Sequence, residues 1–194
     1  MTNVTAHMTM SLDGYIATHS DEVGALFEWY SAGSVEVESR NRDIRFRPDE
    51  LGAALVRSMM TDVGALVSGR RLFDITDGWG DQHPVGAPVV VVTHRPPADA
   101  SRWPRTTFVD DVPRAIALAK EIAGDRDVAI ASADVVGQAL DLGLVDEVAV
   151  SLVPLLMTSG KAYFGSLTSG PILLEDPTVV AGTRATHLRY RVRR

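Results

Sequence analysis

Three short segments carry residue types from which a binding site could be built: Gly69-Arg70-Arg71, Thr93-His94-Arg95 and Ala131-Ser132. Each stands where an apolar, strand-like run gives way to a turn or a helix. The runs are Val63 to Val67, Val89 to Thr93, and Val128 to Ala131. Two of the segments bring cations. The third opens a helix, whose unpaired N–H groups and partial positive charge suit an anion. Ligands of open parallel sheets collect outside the carboxyl ends of the strands, so the three segments can act together. A ligand with two separated phosphate groups fits that set, and NADPH has a pyrophosphate and a 2′-phosphate. Each arginine alone could be a solvated surface residue; the coincidence at three strand ends favours the joint reading.

Other chemistries are absent. The chain has no G-x-x-x-x-G-K, G-x-G-x-x-G, H-E-x-x-H or G-x-S-x-G pattern, and its five histidines show no metal-ligand spacing. It has no cysteine, which removes disulfides, zinc thiolates and cysteine nucleophiles together and is compatible with a reducing cytoplasm. The acid pair Asp110-Asp111 stands at a helix start, where acids are expected in any case.

The elements that must position the three segments follow from periodicity. Asp127 to Gly165 reads as strand, helix, strand: an apolar run, then Ser132 as helix N-cap, then Val136, Ala139 and Leu140 on one face, then Gly143 as a stop. Val148, Val150, Leu152 and Pro154 resume with period two, and a crossover of this length implies parallel strands. Val4 to Met10 is a strand, Asp13-Gly14 a bend, and Tyr15 to Ala17 its continuation. Asp49 to Met60 is a helix whose apolar face is Leu51, Ala54, Leu55 and Met59. A short helix after Gly69, a strand Thr107 to Val109 and a helix Val112 to Ile122 complete the alternating part. Ile172 to Leu174, Thr178 to Ala181 and Thr186 to Val192 are expected as antiparallel closing strands. Residues 18–48, with a short helix around Leu26 to Tyr30, read as a surface excursion of functional-loop length. The fold class is α/β, a mostly parallel central sheet with antiparallel C-terminal strands and helices on both faces.

The 194 residues form one domain, burying around 70% of the surface the unfolded chain exposes. The first residues lack a basic segment and a long apolar core, which argues against a signal peptide or a membrane span. A formal charge of −6 argues against a nucleic-acid partner. The basic run Arg189 to Arg194 alternates with Leu188, Tyr190 and Val192 and reads as one polar face of a strand.

Four segments, in order along the chain, resemble the RibD C-terminal domain, the reductase domain of riboflavin biosynthesis, which has the dihydrofolate-reductase fold. They are Met10 to Ala17 (MSLDGYIA), Gly69 to Phe73 (GRRLF), Gly143 to Glu147 (GLVDE), and Pro154 through Ser159-Gly160-Lys161 to Phe164. The resemblance implies an NADPH-dependent reductase acting on a small heterocyclic or sugar-bearing substrate of pterin or aminopyrimidine type, and a homodimer, since the family commonly pairs through its sheet. Carried onto this chain, Gly69, Arg70, Arg71, Thr93, His94 and Arg95 would grip the 2′-phosphate. Ala131, Ser132 and Ala133 would meet the pyrophosphate. Thr158, Ser159 and Gly160 would lie in a second loop near the cofactor, and Ser11 to Gly14 with Tyr15 would border nicotinamide and substrate. Trp29 is a candidate for the substrate pocket. Asp13, Glu22 and Glu28 are candidates for the proton donor, with Asp13 and Glu28 foremost; Asp13 reads equally as a turn residue. The family has Gly-Gly where this chain has Ala131-Ser132, and glycine where it has Thr158. Each added Cβ takes room a phosphate would use, so the competing reading is a non-catalytic small-molecule-binding or dimeric scaffold of the same fold.

Overall fold

The computed structural model describes residues 2–193; Arg194, the end of the basic run, lies outside them. One eight-stranded sheet organises the chain in the order β5-β4-β3-β6-β1-β7-β10-β9. Its strands are β1 (Val4–Ser11), β3 (Val63–Gly69), β4 (Val89–Val92), β5 (Thr106–Val109), β6 (Asp127–Ile130), β7 (Glu147–Val153), β9 (Thr178–Ala181) and β10 (Thr186–Arg191). A second ribbon pairs β2 (Tyr15–Ala17) with β8 (Lys161–Ala162). All strands from β5 across to β7 are parallel; β10 and β9 close the sheet antiparallel. Among the described residues no helix is long and apolar enough to cross a membrane.

Helices α3 (Val112–Ala123) and α4 (Ala133–Asp141) cover one face. Their buried stripes, Val112, Ala115, Ile116 and Ala119 in α3 and Val135, Val136, Ala139 and Leu140 in α4, pack on Val4, Ala6, Val67, Val90, Val128, Ile130, Val148 and Val150. Each fully buried valine or isoleucine there contributes about 1.5–3 kcal/mol of transfer free energy. Asp111 caps α3 by accepting from the Arg114 N–H at 2.8 Å. Gly143, at φ 66°, ends α4 as its sequence position suggests.

The other face carries α1 (Glu50–Asp62) and the short α2 (Arg70–Ile75). Asp49 caps α1 through the Gly52 N–H at 2.7 Å. The helix does not bury the face expected from periodicity. Gly52, Ala53 and Val56 are its buried residues, while Leu51 is 47% exposed and Ala54 is exposed. Ala53 and Val56 instead pack with Leu26, Trp29, Val37 and Phe46, elements 7 to 30 residues away in sequence, and this leaves Leu51 and Ala54 outward.

Two further expectations need correction. Ile172 to Leu174 is not a strand, since only Leu174 forms an isolated bridge to Val192. Residues 18–48 are not a loose excursion. A 3-10 helix over Gly24–Ser31 is closed by the Val37–Phe46 bridge, and Trp29, Tyr30 and Phe46 stack edge to face inside it.

Candidate active site

Strands β4, β3 and β6 are adjacent and parallel, so Thr93, Gly69 and Ala131 come out on one edge. Direct hydrogen bonds tie these ends together. The Gly69 N–H donates to Ser132 Oγ at 2.9 Å, and the Arg70 guanidinium donates to the Arg95 carbonyl. Ser132 does not cap α4, contrary to its position before the helix: with its oxygen turned to Gly69, no side chain caps the helix. The first-turn N–H groups therefore keep their partial positive charge for an anion. Asp134, the acid in that turn, accepts from Gln138 Nε2 at 3.1 Å one turn further on.

Arg71 and the second loop are joined through a residue the motifs did not single out. Asp21, at φ 71°, accepts from Arg71 Nε at 2.6 Å and from Lys161 Nζ. Its side chain is nearly buried between the two cations. Lys161 directly follows Gly160, whose φ of 144° and missing Cβ let the chain pass Ala17; a Cβ would lie 2.2 Å from the Ala17 carbonyl oxygen. Asp21 had no local signal, because its partners lie 50 and 140 residues away.

Asp13 sits at the turn after β1 and acts as a clasp. Its carboxylate accepts from Ser11 Oγ at 2.6 Å, from the Thr158 N–H at 2.7 Å and from the Met157 N–H at 3.1 Å. The Ser11 hydroxyl and those two N–H groups hold its carboxyl below the usual range. It is ionised at neutral pH, an acceptor rather than a proton donor. Thr158, where the family has glycine, takes φ 62°, a conformation costly for a β-branched residue. The clasp from Asp13 holds it there.

The remaining candidates fall elsewhere. Ser11 is fully buried and its hydroxyl also accepts from the Tyr15 N–H at 2.9 Å, so it shapes the turn rather than meeting a ligand. Trp29 is 2% exposed and donates Nε1–H to Thr9 Oγ1 at 3.1 Å, which makes it a core residue rather than a pocket wall. Glu28 is exposed and ion-paired to Arg184 at 2.9 Å. Tyr15 is half-buried on β2, beside β8 and the second loop. Thr158, Ser159, His94 and Arg95 are exposed, and Thr93 and Arg70 half-buried, around the same edge. Ala131, Ser132 and Ala133 are half-buried at the head of α4.

The family model of the RibD C-terminal domain matches residues 2–176. The chain belongs to that family. Solved structures show the fold that RibD C-terminal domains share with dihydrofolate reductase. A Shewanella protein provisionally named for riboflavin biosynthesis superposes with a TM-score of 0.71 at 22% identity, each chain covered in full. A Thermotoga maritima diaminohydroxyphosphoribosylaminopyrimidine deaminase/5-amino-6-(5-phosphoribosylamino)uracil reductase superposes at 0.63 with 14% identity; 99% of this chain covers 57% of that one. Enterococcus faecalis dihydrofolate reductase, in complex with NADP(H) and RAB-propyl, superposes at 0.60 with 16% identity over 99% and 97% of the two chains. No curated protein matches the chain. Of the three positions at which the resemblance implies glycine, Thr158 takes a left-handed backbone, and Ser132, next to Ala131, uses its hydroxyl to join two strand ends.

Proposed function

We propose that this protein is an NADPH-dependent reductase that transfers a hydride to a small heterocyclic or sugar-bearing substrate of aminopyrimidine or pterin type. One observation carries the reading: the ends of β4, β3 and β6 share an edge, hydrogen-bonded to each other, with arginines on two of them and an uncapped helix on the third. These residues fit a dinucleotide with two anionic groups. Arg70, Arg71 and Arg95 would hold the 2′-phosphate, and the N–H groups opening α4 the pyrophosphate. Bound there, the cofactor supplies the hydride. The chain supplies orientation: Asp13 fixes the loop carrying Thr158, Ser159 and Gly160, and Asp21 holds Arg71 and Lys161 at a fixed spacing. The substrate class rests on the family and on the reductase named in the Thermotoga relative. Action as a homodimer in the cytoplasm belongs to the same reading.

Titration with NADPH and NADH, followed by tryptophan fluorescence, tests it. Micromolar NADPH affinity with a preference over NADH is expected, and no binding at millimolar cofactor overturns it, leaving the scaffold reading in its place.

A further inference from the structure

The carboxylates that fasten loops in this protein take backbone N–H groups. Asp13 accepts from Met157 and Thr158, Asp49 from Gly52 and Thr183, and Asp141 from Thr168 and Ser169. Asp21 is held differently. Among the described residues its carboxylate meets two side-chain cations and no backbone N–H: one oxygen accepts from Arg71 Nε at 2.6 Å and the other from Lys161 Nζ. Two cations closing on one anion is also how side chains hold a phosphate.

Three elements bring these groups together. Lys161 pairs with Ala17 across the β2-β8 ribbon, and Arg71 comes from the first turn of α2. The turn after β2 then folds back on itself. The Thr18 N–H donates to the Glu22 carbonyl at 2.9 Å, the Asp21 N–H to the Thr18 carbonyl at 3.1 Å, and the Glu22 N–H to Thr18 Oγ1 at 3.1 Å. Asp21 takes φ 71° at its tip, a conformation aspartate tolerates better than most residues. Its carboxylate is what ties this self-closed turn to the two cations.

Arg71 and Lys161 also differ from Arg70, which is bonded to Asp74 at 2.7 Å and to the Arg95 carbonyl. Among the described residues Asp21 is their one acid, and the Arg71 side chain is 69% exposed, so an anion from solvent can reach it. An ion pair this open to water contributes little to stability. A phosphate brings up to two charges and three acceptor oxygens, enough to take over both cations. Carboxylate and phosphate cannot share them, because two like charges would then stand side by side. We infer that Asp21 is the resident counter-ion of the cofactor site. Its carboxylate occupies the seat of one phosphate of the dinucleotide, holds Arg71 and Lys161 at the spacing that phosphate needs, and yields both cations when the cofactor binds. The identity of the ligand rests on the reductase reading; the anion seat rests on Asp21, Arg71 and Lys161 alone.

The test compares the full chain with Asp21→Asn, which removes the charge and keeps an amide oxygen that can still accept from Arg71. Inorganic pyrophosphate, NADPH and NADH are titrated by calorimetry at low salt. Asp21→Asn should bind pyrophosphate and NADPH about tenfold more tightly than the parent. An equal gain for NADH assigns the seat to the pyrophosphate of the cofactor, and a gain confined to NADPH assigns it to the 2′-phosphate; either supports the inference. Equal or weaker binding by Asp21→Asn overturns it, since a carboxylate that only positioned Arg71 would give that result. In the parent chain, saturating pyrophosphate should speed amide hydrogen exchange in the turn 18–22. Unchanged or slower exchange there overturns the inference even where the variant fails to fold. If pyrophosphate binding tightens while neither chain binds NADPH, the reductase reading falls and the counter-ion stands. If both chains bind NADPH equally, the reductase reading stands and the counter-ion falls.

Discussion

The two halves of the sheet handle polarity in opposite ways. In β4-β3-β6 the strand bodies are mostly apolar on both faces, buried Ser68 and the leading Asp127 apart, and the cations stand where the strands stop, at Arg70, Arg71 and Arg95. In β1-β7-β10 one face is apolar and packs under α3 and α4, while the other carries Thr5, His7, Thr9, Ser151, His187 and Arg189 along the strands themselves. Burying polar groups gives little net stability and costs when they lack partners. The first half is therefore a rigid support that presents chemistry at its rim, and the second spends stability on a polar interior face.

The largest way to break this comparison acts at the rim. Replacing Arg70 and Arg71 together by alanine removes two charge-assisted contacts, worth about 4 kcal/mol, and should raise the NADPH Kd roughly a thousandfold with the fold intact by circular dichroism. The support is broken instead at Gly64, where an added Cβ would lie 2.7 Å from Ala123 Cα and 2.8 Å from its carbonyl oxygen. Gly64→Ala should cost about 3 kcal/mol in urea unfolding, and a cost near zero would mean that α3 is not seated on β3 as described.

Acid sharpens the contrast, because the polar face holds a histidine neutral. His7 falls from 6.5 to about 4, and His83, buried near Trp79, to about 3. A depressed native pKa means the unfolded chain takes up the proton first, so this stability is complete above pH 6.5 and is lost as pH falls toward 3–4. The loss from His7 is on the order of 3 kcal/mol, and His7→Gln should flatten the dependence of the urea midpoint between pH 6.5 and 4. The smallest effect is at the clasped loop. Thr158→Gly relieves the left-handed threonine and should stabilise by about 1 kcal/mol, a rise in Tm of roughly 2–4 °C, whereas Asp13→Asn should lower NADPH affinity by loosening the same loop.

Residue patterns alone determined most of the elements and the family: apolar runs marked the strands of the main sheet, caps such as Asp111 and Gly143 bounded helices, and four short motifs named the fold. These signals are legible because they act between residues a few positions apart. What only the tertiary structure decided depends on partners far along the chain. Ala53 and Val56, not the apolar stripe, packed with Leu26, Trp29, Val37 and Phe46 and left Leu51 outward; Gly69 drew Ser132 away from its helix across 63 residues; Arg71 and Lys161 converged on Asp21. A hydroxyl or carboxylate binds whichever donor folding brings within about 3 Å, and no local pattern records that choice.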